Sequence, residues 1–287
     1  MYVKTVDYKA PQAAREFAQS LKETGFVVLS NHPISQVLID TVYKDWEKFF
    51  KGDTKFDVPF DPHTTRQKGY FPFKSENAKG YSLKDLKEYY QYRDVEDTPP
   101  GMGLRTQTPF EELMTLGGDL LNWIEQALPD EIKDTLSMPL PQMIKDTDMS
   151  MIRIIHYPPL REDEEEGAVR SAAHEDINLI TILPASAAPG LQVKDRKGAW
   201  HEVSCDYETV VINVGDMLEM VSQGFYKSTT HQVINPTGEA VRCSRYSLPL
   251  FFHPRNDVPL SSQYTAGEFL AERLGENGVI AINPSAP

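Results

Sequence analysis

The chain has 287 residues, of which 40% are hydrophobic and 25% are charged, and its formal net charge is −13 at pH 7. This composition is typical of a folded globular protein and excludes a disordered or collagen-like chain. The acidic balance argues against a nucleic-acid or anionic-membrane surface. No run approaches the ~18 apolar residues of a membrane span, and two cysteines make no disulfide framework. We therefore expect a cytoplasmic protein with no nucleic-acid or membrane partner.

The N-terminal part predicts helices around one short strand. Apolar residues at helical spacing indicate a helix over residues 11–24, and Gly25 suits its end. Residues 26–29 then predict a buried strand. Ser35 can cap a second helix that carries Leu38, Val42, Trp46 and Phe49 along one face. A third helix is expected from Pro109 to about Leu128.

From about residue 150 the pattern changes to short β-branched and aromatic runs separated by turn residues. These runs lie at residues 151–157, 177–183, 191–194, 210–214, 231–234 and 245–252. Many short strands with regular turns predict a sandwich or barrel. One more amphipathic helix is expected over residues 265–274. No boundary separates two independent domains, so we expect the helices to support the β-core.

His174 and Asp176 are the first candidate for chemistry. On an extended segment their side chains point to the same face, so both could reach one metal ion. His231 begins a later strand and could complete a set of two imidazoles and one carboxylate. Such a facial triad leaves open positions on Fe(II) for a substrate and O₂. Zinc hydrolases also use three protein ligands, so the ligand types alone do not fix the metal.

Arg245 and Ser247 are the second candidate. They share one face of a predicted strand, and a guanidinium beside a hydroxyl suits a carboxylate ligand. An internal ion pair between Arg245 and an acidic side chain is the alternative.

Eight segments together resemble one family, the Fe(II)- and 2-oxoglutarate-dependent dioxygenases, in the branch that includes isopenicillin N synthase, flavonoid oxygenases and gibberellin oxidases. The segments are residues 25–32, 173–183, 190–193, 198–200, 211–219, 222–228, 231–233 and 245–247. They follow in the family's order and span nearly the whole chain. The resemblance implies a mainly β fold with flanking α-helices. Its core would be a double-stranded β-helix, a cupin-like jelly roll, with N-terminal helical support. Residues 1–100 would form the N-terminal region of the same fold unit, and residues 101–287 the jelly-roll core with a C-terminal helix.

The resemblance also implies a site. His174, Asp176 and His231 match the iron ligands, and Arg245 and Ser247 match the pair that binds the distal carboxylate of 2-oxoglutarate. Tyr157 matches a tyrosine that helps to hold this carboxylate, although Ile155 stands where the family usually has Asn. Fe(II), 2-oxoglutarate and O₂ would then oxidise a C–H bond of a small molecule, with release of succinate and CO₂. We expect a monomer or weak homodimer.

The sequence says less about the substrate. Tyr90 and Phe252 are candidate pocket walls, and Arg170 could meet a substrate anion. Three alternatives remain open. One is an iron oxidase like isopenicillin N synthase, which uses no 2-oxoglutarate; the others are a metal-holding jelly-roll binding protein and a zinc hydrolase.

Overall fold

Two packed β-sheets, with helices against the outer face of the larger one, make up the structure. The computed structural model describes residues 2–60, 68–78, 80–185, 189–204 and 206–276. The strands are β1 (Thr5–Asp7), β2 (Phe26–Ser30), β3 (Gly69–Phe71), β4 (Glu88–Tyr92), β5 (Met151–Tyr157), β6 (Ser171–His174), β7 (Ile180–Pro184), β8 (Leu191–Lys194), β9 (Trp200–Glu202), β10 (Val210–Val214), β11 (His231–Val233), β12 (Arg245–Ser247) and β13 (Leu250–Phe252). The α-helices are α1 (Ala13–Thr24), α2 (Gln36–Lys51), α3 (Gly103–Gln126), α4 (Asp130–Lys133), α5 (Leu140–Met143), α6 (Asp216–Val221) and α7 (Ala266–Glu276).

The described strands form a larger and a smaller sheet. The larger sheet runs β1-β2-β10-β7-β13-β5-β4-β3, with β12 also paired to β5, and the smaller sheet runs β6-β11-β8-β9. Most neighbours along these sheets are far apart in sequence, and all but the β1–β2 pair are antiparallel. This arrangement is a double-stranded β-helix with flanking helices, which confirms the predicted fold class. Strands from residues 1–100 belong to the larger sheet, since β2 pairs with β10 and β4 with β5.

The larger sheet is covered on both faces because each face packs against a different layer. On β5, Ile152 and Ile154 join the core that includes the helices, whereas Ile155 and Tyr157 join a second core with the smaller sheet. Successive side chains of a strand point to opposite faces, so alternate residues enter different cores. The face on which a side chain lies therefore decides whether it packs against the helices or reaches the space between the two sheets.

Most predicted elements are present with bounds within two residues of the prediction, and three differ by more or are divided. Helix α3 begins at Gly103 and contains Pro109, and in the turn before the proline Trp46 Nε1 donates to Thr106 Oγ1 at 3.0 Å. The run predicted over residues 245–252 is two strands, since Pro249 has no N–H for a continuous ladder. The strand predicted from residue 177 begins at Ile180.

Helix α1 shows how local sequence sets an element. It ends at Gly25, whose φ of +73° is the left-handed conformation that glycine adopts readily. An added Cβ at this position would lie 2.2 Å from Thr229 Oγ1, so glycine also permits a close contact. The turn leads the chain directly into β2 at the centre of the fold. No helix in the described part of the chain is long and apolar enough to cross a membrane.

Candidate active site

A His-Asp-His cluster lies where the smaller sheet ends. His174 is the last residue of β6 and His231 is the first residue of β11, and the antiparallel register pairs them directly. Asp176 follows two residues after β6. One potential ligand atom from each residue lies within 4.8 Å of the other two, and Nε2 of each histidine is 3.8 Å from Asp176 Oδ1. The three side chains therefore converge on a single point.

Backbone carbonyls orient the two imidazoles. His174 Nδ1 is 2.8 Å from the carbonyl oxygen of Ala172, and His231 Nδ1 is 3.1 Å from that of Thr229. A carbonyl only accepts hydrogen bonds, so each Nδ1 must carry the proton. The lone pair then lies on Nε2, the atom that faces Asp176. This is the tautomer that a metal-binding histidine uses when its second nitrogen is held by an outer partner.

The carboxylate of Asp176 is also oriented. Thr181 Oγ1 and Asn213 Nδ2 donate to its Oδ2 at 2.6 and 2.8 Å, which leaves Oδ1 facing the imidazoles. Burial raises the pKa of Asp176, but the nearby imidazoles of His231 and His174 and these two hydrogen bonds outweigh burial and hold it below its ordinary value. Asp176 is thus ionised at neutral pH.

Burial and the adjacent His231 lower the pKa of His174 to about 4. The residue is therefore neutral at pH 7 and needs no deprotonation before it binds a cation. Two imidazole nitrogens and one carboxylate oxygen are a donor set that fits Fe(II) and leaves three of its six positions open. The cluster fits the predicted metal.

A second group of predicted residues lies on the inner face of the larger sheet, which is the face toward the smaller sheet. It consists of Arg245, Ser247 and Tyr157. Arg245 of β12 pairs with Tyr157 of β5, and Ser247 pairs with Ile155. Arg245 is 4% exposed, and its Cζ lies 5.2 Å from the centre of the Tyr157 ring. The structure brings these three predicted residues together as a buried cationic and hydroxyl-bearing group.

Arg170 joins this second group and does not line the large cavity described below. Its Cζ lies 5.9 Å from the ring centre of Tyr157, on which Arg245 also lies, and its Nη2 donates to the carbonyl of Cys243 at 3.0 Å. Burial and the charge of Arg245 lower the pKa of Arg170. Arg170 was predicted to contact a substrate anion. Its position is different, because it lies beside the residues predicted to bind the cosubstrate and not at the cavity.

A cavity of about 910 Å³ opens beside His174 and Asp176. This volume suits a small-molecule ligand. The inner face of the larger sheet forms one wall with Tyr89, Arg93, Met151, Arg153, Phe251 and His253, and helices α6 and α7 add Met220, Phe269, Leu270 and Leu274. The cavity therefore joins the metal-binding cluster to a mixed polar and apolar wall.

Two predicted wall residues lie elsewhere. Tyr90 packs against Trp46 with ring centres 5.0 Å apart, and Phe252 lies against Gly117 of α3. Both belong to the core between the larger sheet and the helices, whereas their sequence neighbours Tyr89 and Phe251 line the cavity. The prediction was wrong by one residue in each strand, and one residue reverses the face of a strand.

A buried network of ion pairs supports the cavity wall. Glu76 lies 2.8 Å from Lys87 and 3.2 Å from Arg153, and Lys87 also lies 2.9 Å from Asp85. Tyr89 donates to Glu76 at 2.7 Å. Burial alone would raise the pKa of Glu76, but Lys87 and Arg153 hold it well below its ordinary value. This network was not predicted from the sequence, because its residues form no motif and Arg153 comes from a distant segment.

Comparison with known proteins identifies the family. The model of the 2OG-Fe(II) oxygenase superfamily matches residues 149–254, and the model described as non-haem dioxygenase in morphine synthesis N-terminal matches residues 4–110. A 2-oxoglutarate-dependent dioxygenase of Monascus ruber, citB, is 30% identical over 278 residues, which cover 88% of this chain and 80% of that protein. The chain belongs to the 2OG-Fe(II) oxygenase superfamily. It is an Fe(II)- and 2-oxoglutarate-dependent oxygenase, as predicted.

Solved structures agree with this assignment. A Shewanella oneidensis protein assigned as an oxygenase is 46% identical, with a TM-score of 0.88, and the match covers 98% of this chain and 100% of that one. A full-length Neurospora crassa protein, solved with alpha-KG (2-oxoglutarate) and thymine, has a TM-score of 0.75 at 22% identity, and the match covers 95% of this oxygenase and 96% of that chain. At that identity the Neurospora crassa protein shows the shared fold.

Proposed function

We propose that the oxygenase binds Fe(II) and 2-oxoglutarate through two separate groups of residues, one at the end of the smaller sheet and one on the larger sheet. Fe(II) would be held by His174, Asp176 and His231. The distal carboxylate of 2-oxoglutarate would be held by Arg245, Ser247 and Tyr157. The substrate would be a small molecule in the adjacent cavity, and one of its C–H bonds would be oxidised.

One observation carries this proposal: the inner face of the larger sheet leads from the cavity to Arg245. Along β5, Arg153 lines the cavity, and Tyr157, four residues further on, pairs with Arg245. Thr181 of the same sheet donates to Asp176. A dicarboxylate anchored at Arg245 can therefore extend toward the His-Asp-His cluster, while the cavity receives the substrate from the other side.

The chain's own residues supply position and charge. When bound, Fe(II) would activate O₂, which is the oxidant of both the substrate and 2-oxoglutarate. Arg245 would fix the far end of 2-oxoglutarate by parallel N–H bonds, so that the cosubstrate is oriented before reaction. The buried position of Asp176 strengthens its charge interactions with the groups around it. The thymine bound by the Neurospora crassa protein supports a small molecule as the substrate class.

The test is an anaerobic titration of the Fe(II)-loaded protein with 2-oxoglutarate, followed by the visible charge-transfer band of the complex. We expect a saturable band in the wild type and a large increase in the dissociation constant for Arg245→Gln. Arg242→Gln is the matched control, since Arg242 lies three residues away, outside the buried group around Arg245. An absent band with iron bound would contradict the proposal. It would favour the alternative in which Arg245 and Ser247 hold the substrate's own carboxylate.

A further inference from the structure

Two polar side chains on the cavity wall have hydrogen-bonding capacity that the proposed cofactor sites do not use. Arg153 lies on β5, and His253 follows directly after β13. Both line the cavity together with Asp176. The inference drawn from them rests on the proposed function, because it concerns the substrate of that same site.

His253 is the clearer of the two. It is 6% exposed, and its Nδ1 is buried without a hydrogen-bond partner in the described part of the protein. Its backbone is fixed, since its N–H donates to Ser150 Oγ at 3.1 Å. Burial, and then the charge of Arg93, lower the pKa of His253 to about 3. At neutral pH it therefore offers an uncharged imidazole. A buried polar atom without a partner costs free energy, which a ligand that pairs with it would recover.

Arg153 is held rigidly beside the same cavity. Its Nη1 donates to Glu76 at 3.2 Å and its Nη2 to Gln91 at 2.9 Å. The guanidinium carbon lies 4.5 Å from the ring centre of Tyr89 and 5.5 Å from that of Phe251. Its Nε is buried and has no hydrogen-bond partner among the described residues. Because the five N–H groups of arginine form a fixed fork, holding two nitrogens also fixes the direction of the third.

The surroundings limit what these groups can bind. Arg153 and Lys87 are cations paired with the carboxylates of Glu76 and Asp85, so this network already balances its own charge. An amine would gain little there and would face the guanidinium. An oxygen acceptor can take an N–H bond without disturbing the network. Elsewhere the lining of the cavity is mixed. Its apolar side chains include Ile177, Met220, Leu270 and Leu274, and its charged side chains include Glu219, Lys227 and Arg273.

We propose that the primary substrate is a small molecule with an apolar body and a carboxylate or carbonyl oxygen, and that Arg153 and His253 bind this oxygen. The apolar body lies along α6 and α7, and the acceptor lies on the sheet wall. Arg153 and His253 are thereby specificity-determining residues. They hold the oxygen-bearing end of the substrate on the sheet wall, away from the metal-binding cluster.

The experiment measures ligand binding by calorimetry on the protein loaded with Fe(II) and 2-oxoglutarate, without O₂. The probes are phenylacetate, hydrocinnamate and octanoate, each with its primary amide and its primary amine. We expect acids or amides to bind and amines not to bind. If only the acids bind, the group that the site recognises is a carboxylate. If acids and amides both bind, it is the carbonyl oxygen that the two have in common. Amines that bind as well as acids, or a wild type that binds none of the probes, would overturn the proposal.

Variants assign the effect to the two residues. His253→Phe keeps a ring but removes both nitrogens, and we expect about tenfold weaker binding or more, with partial rescue in His253→Asn. Arg153→Lys keeps the charge but removes the Nε–H, and should also weaken binding. His201→Phe is the matched control, because that imidazole bonds to Asp195 at 2.7 Å and does not line the cavity.

The charge-transfer band separates the two proposals. A band in both the wild type and His253→Phe shows that the cofactor sites are intact, so unchanged probe binding in that variant and in Arg153→Lys would overturn the substrate inference alone. A wild type that lacks the band contradicts the proposed function instead.

Discussion

The two carboxylate oxygens of Asp176 have different tasks. Oδ2 accepts hydrogen bonds from Thr181 and Asn213, while Oδ1 faces His174 and His231. Outer partners of this kind fix the direction of a metal ligand, and their loss usually weakens metal binding. The proposed iron site therefore depends on a threonine that does not touch the metal.

We predict that Thr181→Val weakens Fe(II) binding by about tenfold to 100-fold, because valine keeps the volume but removes the donor to Asp176. Anaerobic Fe(II) titration measures this effect. Thr115→Val is the control, since the Thr115 hydroxyl bonds to a helix carbonyl and is exposed. Equal Fe(II) affinity in Thr181→Val and the wild type would show that this hydrogen bond does not orient the ligand.

Arg170 extends the positive charge of the proposed cosubstrate pocket. It is 2% exposed, lies beside Arg245, and has a buried Nε without a partner in the described part of the chain. We predict that Arg170→Gln weakens 2-oxoglutarate binding by about tenfold, because a buried charged hydrogen bond to a carboxylate is lost. The charge-transfer titration measures this, with the exposed Arg161→Gln as control. Unchanged affinity in Arg170→Gln would restrict the carboxylate site to the β12 residues and Tyr157.

At the scale of elements, helix α3 is fitted closely to the outer face of the larger sheet. Gly117 faces the ring of Phe252, and a Cβ there would lie 2.0 Å from Phe252 Cε1. Gly118, the next residue, has open space around its Cβ position. Glycine in a helix interior normally weakens the helix. The absence of a side chain at Gly117 therefore permits the close contact with the sheet, while Gly118 makes no such contact.

Opposite effects are predicted for two adjacent substitutions. Gly117→Ala should lower the free energy of unfolding by about 1–3 kcal/mol, because the core must shift to admit a methyl group. Gly118→Ala should raise it by about 0.5–1 kcal/mol through helix propensity alone. Urea unfolding of both variants measures the difference. If both variants stabilise the protein, then α3 does not pack on Phe252 as closely as the structure shows.

At the scale of the whole molecule, stability depends on a histidine that is buried as the neutral form. Burial lowers the pKa of His253 to about 3, whereas an unfolded histidine titrates near pH 6.5. Between these values the unfolded chain binds a proton at His253 and the folded protein does not. Stability is therefore lost as the pH falls below about 6.5.

We predict that the free energy of unfolding of the metal-free protein falls between pH 6.5 and pH 4, and that His253→Phe reduces the slope by about 1.4 kcal/mol per pH unit at most. Urea unfolding at several pH values measures both slopes. Equal slopes for wild type and His253→Phe would contradict a neutral buried His253.

The sequence by itself determined the fold class and predicted the residues of the two candidate sites. His174 and Asp176 are two positions apart, Arg245 and Ser247 likewise, and the family motifs surround both pairs. The spacing indicates which residues share a face, because neighbouring residues keep their relative directions in any strand, and the resemblance to the family gave that pattern its meaning. Helices α1 and α2 were also predictable from their apolar spacing and end residues.

Only the tertiary structure decided which face of each strand meets the cavity. All five side chains of β4 are buried, so its sequence has no polar alternation to show that Tyr89 faces the cavity and Tyr90 the helices. The same holds for Phe251 and Phe252. Arg170 and the Glu76–Lys87–Arg153 network depend on contacts between distant segments. The physical reason is that a sheet covered on both faces gives the two sides similar composition, and only the packed layers distinguish them.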